Sequence, residues 1–123
     1  MTQRPLICVI DDDESVRESL PDLIREFGFQ VHVFSSAKEF LASESVDHAE
    51  CLLLDIAMPG MTGLELQQDL ERRQTDIPII FITALADDKV RSAALRQGVA
   101  ACLFKPFSDS ELREALISAL KED

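Results

Sequence analysis

Apolar residues cluster along the chain in five short runs, and longer segments with helical periodicity separate these runs. Within most of the runs Val, Ile, Leu and Phe follow one another with little polar alternation, which is typical of strands buried on both faces of a parallel sheet. Because strand-like and helix-like segments alternate along the chain, we expect right-handed crossovers to wind them into a doubly wound α/β fold with helices on both faces. The predicted strands are residues 6–10, 31–34, 51–54, 77–82 and 101–104.

Residues near the ends of the helical segments agree with this pattern. Ser108 and Glu111 have the spacing of a capping box at the start of the last helix. Pro21 falls inside the first helical segment, where it lacks a donor, so we expect a kink or an early first turn there. The remaining signals are Gly28 and Gly98 as helix stops, and Ser36 and Thr62 as N-caps of the second and third helices.

Composition narrows the classes of protein. The 123 residues suit a single domain, residues 1–123, and no apolar run approaches the ~18 residues of a membrane span. Twelve Lys and Arg against 23 Asp and Glu give a net charge of -11, which opposes direct binding to nucleic acid or to an anionic membrane. No secretory signal is recognisable, so we expect a cytoplasmic location. Cys8, Cys51 and Cys102 lie in apolar runs without Cys-x-x-Cys spacing and are predicted to be small buried thiols outside any disulfide.

Polar residues stand where four of the five predicted strands end. Asp11 and Asp12 follow the first strand, Asp55 follows the third, Thr83 ends the fourth, and Lys105 follows the fifth. In open α/β sheets the functional site lies beyond the carboxyl ends of the strands. We therefore expect these five side chains to meet at one edge of the sheet. The neighbouring Asp13 is interpreted as an ordinary turn or helix cap.

Three carboxylates brought together imply a cation. Asp11, Asp12 and Asp55 would raise one another's pKa unless a positive charge offset their repulsion. Oxygen ligands of this kind, completed by waters and a phosphate oxygen, are those that Mg²⁺ prefers. His32 and His48 have no second His or Cys at ligand spacing, so we interpret both as surface residues.

The hydroxyl of Thr83 and the ammonium of Lys105 add donors to this edge. Such donors suit the equatorial oxygens of a phosphoryl group in transfer, which leaves Asp55 as an attacking carboxylate that forms an aspartyl phosphate. Neither GxxxxGK[ST] nor GxGxxG occurs, so nucleotide binding is disfavoured. The pattern predicts a protein that accepts a phosphoryl group.

Four motifs in order resemble the receiver domain of two-component response regulators over essentially the whole chain. They are VIDDDESVR at 9–17, LDIAMPGMTG at 54–63, ITA at 82–84 and KPF at 105–107. The resemblance implies a flavodoxin-like sheet of strand order 2-1-3-4-5 and a cis bond between Lys105 and Pro106. It also implies a signalling phosphoacceptor, not an enzyme acting on other molecules.

The resemblance further assigns roles to the site residues. Asp55 would accept the phosphoryl group from a phosphohistidine of a sensor histidine kinase or a phosphotransfer protein. Mg²⁺, for which Mn²⁺ can substitute, would be bound by Asp12, by Asp55 and by the backbone carbonyl of Ala57, with Asp11 acting through water. Thr83 and Lys105 would contact the phosphoryl oxygens and shift the surface formed by the fourth helix, fifth strand and fifth helix.

Three positions bear on how such a switch would behave. Cys102 stands where the family often has a Tyr or Phe that turns inward on activation, so Phe104, on the same strand face, is the candidate substitute or a plain packing residue. Ala57 and Leu85 stand where the family has side chains that influence the hydrolytic water. Because both are apolar, we expect slow self-dephosphorylation.

The residues of these motifs most resemble those of receivers that precede a helix-turn-helix transcription domain. Such receivers often dimerise through the face between the fourth and fifth helices when phosphorylated, so a phosphorylation-dependent homodimer and an output domain outside this chain are expected partners. One alternative is a degenerate receiver that only docks. The other is a Mg²⁺-dependent aspartyl-phosphate hydrolase, which would need an acid/base Asp where Ala57 stands and a lid domain.

Overall fold

All five predicted strands form one parallel sheet in a computed structural model of the chain, which describes residues 4–55, 63–75, 77–83, 92, 96 and 100–120. The strand order is β2-β1-β3-β4-β5, as the family resemblance implied. The fourth strand begins two residues later than predicted, because Pro78 has no N–H to donate to the ladder. The strands are β1 (Leu6–Ile10), β2 (Gln30–Phe34), β3 (Cys51–Asp55), β4 (Ile79–Thr83) and β5 (Ala101–Phe104).

The helices begin and end largely where the end signals predicted. Glu111 and Ser108 form the reciprocal capping box, with both N–H to side-chain oxygen distances at 3.0 Å. Gly28 has a φ of 97°, the left-handed conformation that glycine adopts without strain. The first helix continues through Pro21, which lies beyond its first turn, so of the two expected outcomes, a kink or an early first turn, the early turn does not occur. The helices are α1 (Glu14–Glu26), α2 (Ala37–Leu41), α3 (Gly63–Arg72) and the C-terminal helix (Asp109–Leu120).

Two apolar clusters cover the two faces of the sheet, which confirms the doubly wound architecture. One face of the sheet packs against α2 and α3, where Phe40 and Leu66 are fully buried. The opposite face packs against α1 and the C-terminal helix, where Ile24 and Leu112 are fully buried. The strands alternate their side chains between these clusters, so the carboxyl end of the sheet is held from both sides.

The prediction that most of the strands are buried on both faces is confirmed: it holds for the central three strands, and the two edge strands are the exceptions. Every residue of β1, β3 and β4 is buried, whereas β5 is half-buried throughout and β2 exposes His32 and Val33. Each edge strand has a neighbouring strand on one side only. Apolar sequence runs alone do not reveal which strands lie at the edge.

The cysteines divide in the same way. Cys8 and Cys51 are fully buried, and burial raises the pKa of each thiol to about 12. The prediction of a buried thiol is wrong for Cys102, which is half-buried because it lies on edge strand β5. No disulfide joins the three.

Two predicted helix signals, Thr62 and Gly98, lie outside the described residues, as does most of the segment expected to form the fourth helix. Among the residues that the structure does describe, no helix is long and apolar enough to cross a membrane.

Candidate functional site

Parallel pairing brings the predicted site residues to one edge of the sheet. Asp55, the last residue of β3, pairs in register with Ile82, so Thr83 lies one residue further along β4. The backbone N–H of Lys105 donates to the carbonyl of Thr83 at 2.7 Å, which places the end of β5 beside the end of β4. The peptide bond between Lys105 and Pro106 is cis, as the family resemblance implied.

Three carboxylates meet at this edge. One oxygen each from Asp11, Asp12 and Asp55 lies within 4.8 Å of the others. Asp11 is fully buried and Asp55 is 9% exposed, whereas Asp12 is exposed. The cluster is therefore closed at its base, within the sheet, and accessible from the side of Asp12.

Lys105 supplies a positive charge to the same cluster. Its Nζ donates to Asp11 Oδ2 at 3.0 Å and lies 3.6 Å from Asp55 Oδ2. Burial of the ammonium acts to lower its pKa, but the hydrogen bond to Asp11 and the surrounding carboxylate charges outweigh burial and raise the pKa above its ordinary value. Lys105 therefore remains charged at neutral pH.

The turn between β1 and α1 holds the acidic residues through several hydrogen bonds. The N–H of Asp13 donates to Asp11 Oδ1 at 2.9 Å, and Asp13 Oδ1 in turn accepts from the N–H and hydroxyl of Ser15. These bonds from Ser15 lower the pKa of the Asp13 carboxyl. Asp13 is thus the N-cap of α1, as its interpretation as a helix cap predicted.

Sequence reasoning missed one residue of this turn. Arg17, in the second turn of α1, donates from Nη1 to the backbone carbonyl of Asp11 at 2.9 Å. A basic residue early in a helix opposes the helix dipole, and this mismatch is the signal that could have drawn attention to Arg17.

The donor set fits a hard divalent cation. Within the described residues, Asp11, Asp12 and Asp55 are the one group of three or more acidic, His or Cys side chains with ligand atoms close together. All three offer oxygen, the ligand that Mg²⁺ selects. His32 and His48 are exposed, as predicted, and His32 Nδ1 bonds Ser45 Oγ at 2.8 Å.

The structure places some predicted residues beside the pocket and leaves others undescribed. Thr83 is 1% exposed and pairs in register with Phe104, so Phe104 adjoins the hydroxyl position. Cys102 packs at the margin of the cluster on the α2 and α3 face. Ala57 and Leu85 lie outside the described residues.

Together, the sheet order and the acidic pocket with its lysine define a doubly wound α/β protein whose carboxyl strand ends carry a group of acidic residues that fits a divalent cation. The family comparison gives the particular class: the chain belongs to the response regulator receiver domain family, whose sequence profile matches residues 7–117. Its members take part in two-component signalling.

Several similar proteins are named as response regulators or transcriptional regulatory proteins. Nodulation protein W of Bradyrhizobium diazoefficiens is 41% identical over 120 residues, which are 98% of this chain and 53% of that protein. Response regulator protein TodT of Pseudomonas putida is 40% identical over 116 residues, 94% of this chain and 51% of that protein. The chain therefore spans about half the length of these curated relatives.

Solved structures show the same fold. The response regulator StyR superposes with a TM-score of 0.86 at 42% identity, covering 95% of this chain and 59% of that one. FixJ-N superposes with a TM-score of 0.85 at 33% identity, covering 97% of this chain and 95% of that one.

Proposed function

We propose that this receiver domain accepts a phosphoryl group on Asp55 from a phosphohistidine of a sensor histidine kinase or phosphotransfer protein. The observation that supports this most directly is the convergence of Asp11, Asp12 and Asp55 within 4.8 Å, with the Lys105 ammonium 3.6 Å from Asp55. A carboxylate held this way is a nucleophile beside a fixed positive charge, in a pocket that opens on the side of Asp12.

The proposed step exchanges one bond to phosphorus for another. An oxygen of the Asp55 carboxylate forms a bond to phosphorus while the bond between phosphorus and the histidine nitrogen breaks, and the leaving imidazole takes up a proton. Lys105 and Thr83 donate to the phosphoryl oxygens as charge moves onto the acyl phosphate. Asp12, Asp55 and the backbone carbonyl of Ala57 would hold Mg²⁺ or Mn²⁺, with Asp11 acting through water. The bound cation would neutralise phosphoryl charge.

Phosphorylation would act as a switch because it changes what Lys105 and Thr83 contact. Lys105 now bonds Asp11, and a phosphoryl group on Asp55 would compete for its ammonium. A state that brings Lys105 and Thr83 onto the phosphoryl oxygens is then favoured, which shifts a pre-existing equilibrium. We propose that Phe104, which lies beside Thr83 in the sheet, repacks during that shift. It would take the part of the Tyr or Phe that the family often has where Cys102 stands.

The output is proposed by analogy with the relatives. FixJ and TdiR of Thauera aromatica are transcriptional regulatory proteins. We propose control of transcription through a helix-turn-helix domain outside residues 1–123, with a phosphorylation-dependent homodimer through the face of the fourth and fifth helices. The net charge of -11 disfavours direct DNA contact by this domain. A cytoplasmic location remains the prediction.

The lifetime of the phosphorylated form is also a proposal. Ala57 and Leu85 carry no group that could orient a hydrolytic water, so self-dephosphorylation is expected to be slow. The same Ala57 argues against a phosphohydrolase, which would need an acid/base Asp at that position. A docking-only receiver is disfavoured because the acidic cluster and Lys105 are both retained.

The decisive experiment is intact-mass spectrometry of the chain after incubation with acetyl phosphate. We expect a gain of one phosphoryl group with Mg²⁺, little gain in EDTA, and none in Asp55→Asn. Asp22→Asn, which changes an exposed aspartate of α1, is the matched control and should gain the group as the wild type does. Phosphorylation that persists in Asp55→Asn, or that ignores Mg²⁺, would contradict the proposal.

A further inference from the structure

Arg17 ties the first helix to the end of the first strand. Its backbone N–H donates to the carbonyl of Asp13 at 3.2 Å, as part of the helix. Its side chain reaches back and donates from Nη1 to the carbonyl of Asp11 at 2.9 Å, in a partly buried position. One residue thus holds the turn that carries the acidic cluster at two points.

The carbonyl that Arg17 holds belongs to the peptide unit joining Asp11 to Asp12. Because this unit is planar, the direction of the Asp11 carbonyl also sets the direction of the Asp12 N–H and the start of the Asp12 residue. A hydrogen bond from a charged donor is stronger than one between neutral groups, so the contact is well suited to fix that orientation.

Asp12 depends on this orientation more than the other two carboxylates do. Asp11 is fully buried and is held separately by the Asp13 N–H and by Lys105, and Asp55 is part of central strand β3. Asp12 is exposed, so packing restrains it little. Its place in the cluster is set chiefly by the main chain that carries it.

We propose that Arg17 is a positioning residue for the cation site, and that it keeps Asp12 in ligand geometry by holding the peptide between Asp11 and Asp12. This inference rests on the proposed function, since it concerns the same cation. Ligand-orienting contacts just outside a metal site typically change metal affinity by about 10–100-fold when they are removed.

Charge alone predicts the opposite effect. Arg17 is a cation near a cation site, so its removal by simple electrostatics would tighten the binding of a divalent ion. Loss of positioning would weaken it. The sign of the change therefore separates the two roles.

The test measures Mg²⁺ binding to the unphosphorylated chain by titration calorimetry, repeated with Mn²⁺. We expect Arg17→Met to bind about tenfold more weakly than wild type. Arg25→Met is the control: it removes the same charge from the same helix, where Arg25 is exposed and pairs with Asp22 at 3.2 Å. We expect its affinity to stay within about twofold of wild type, as weak surface pairs do. Equal or tighter binding by Arg17→Met would overturn the inference.

Arg17→Lys keeps the charge and guards against a variant that does not fold. Lysine ends in a compact ammonium with a different reach from the planar guanidinium, so we expect binding weaker than in wild type but stronger than in Arg17→Met. Wild-type affinity in both Arg17→Lys and Arg17→Met would overturn the inference. In acetyl phosphate assays, both variants should need more Mg²⁺ for half-maximal rate and approach the wild-type rate at saturation. If the wild type itself neither binds Mg²⁺ nor gains a phosphoryl group, the proposed function fails instead.

Discussion

Individual residues of the pocket are held in a balance between negative and positive charge. Lys105 offsets the mutual repulsion of Asp11 and Asp55, and the carboxylates in turn keep its pKa high. The ammonium therefore competes with any divalent cation for the same oxygens.

Because Cys51 is a buried thiol, we expect the free energy of unfolding to fall at high pH. The pKa of Cys51 rises from 9.0 in a model thiol to about 12 in the fold, because burial disfavours the thiolate. Its stabilising contribution is complete below pH 9.0 and is lost as pH rises toward about 12, because the unfolded chain deprotonates first. Urea unfolding should be measured at a series of pH values. Above pH 9.0 the free energy of unfolding of wild type should fall relative to that of Cys51→Ala, by up to about 1.4 kcal/mol per pH unit.

The control for this change is Ile7→Val, which removes one carbon from a fully buried side chain paired with Cys51 in the sheet and involves no titratable group. We expect it to lower the free energy of unfolding by about 1 kcal/mol at every pH. A difference in the free energy of unfolding between Cys51→Ala and wild type that stays constant with pH would contradict the prediction.

Among the elements, the C-terminal helix begins directly after the residues that complete the site. Its capping box of Ser108 and Glu111 lies three residues beyond Lys105. Leu112 and Leu116 anchor the helix on the sheet and are fully buried. The cap therefore limits fraying next to the pocket.

Ser108→Ala removes the side chain that accepts from the Glu111 N–H. We expect the free energy of unfolding to fall by about 1 kcal/mol, the usual effect of losing an N-cap, measured by urea unfolding. Ser118→Ala, at an exposed position in the last turn of the same helix, should change it by less than about 0.5 kcal/mol. Equal effects of the two substitutions would show that the cap contributes nothing.

For the whole molecule, a net charge of -11 means that folding brings negative charges together, and their mutual repulsion lowers the stability of the folded state. We expect NaCl to raise the urea midpoint by screening this repulsion. At equal ionic strength, Mg²⁺ should stabilise the fold further. At a Mg²⁺ concentration of 100 times its Kd, the free energy of unfolding should rise by about 2.7 kcal/mol. The additional Mg²⁺ effect should disappear in Asp12→Asn and persist in Asp22→Asn. An equal response to Na⁺ and Mg²⁺ in wild type would rule out specific binding.

The sequence predicted the secondary structure well, but it did not predict the environment of every residue in the sheet. Apolar runs predicted all five strands, and Ser108 with Glu111 predicted a helix start, because these patterns depend on neighbours in the chain. The apolar runs did not give the position of a strand in the sheet. The family resemblance supplied the strand order, but the exposure of Cys102 and Val33 on the edge strands was not inferred from it. Their environment depends on which strands pair, and pairing joins residues distant in sequence.

By itself, the sequence determined which side chains end each strand, because residue type and order are written in it. The fold then decided what these groups contact: Lys105 bonds an aspartate 94 positions away, and Arg17 turns back to the Asp11 carbonyl. A hydrogen bond depends on distance and angle to within a few tenths of an ångström. Only the packed sheet and helices set distances that finely, since the order of residues along a flexible chain leaves them open.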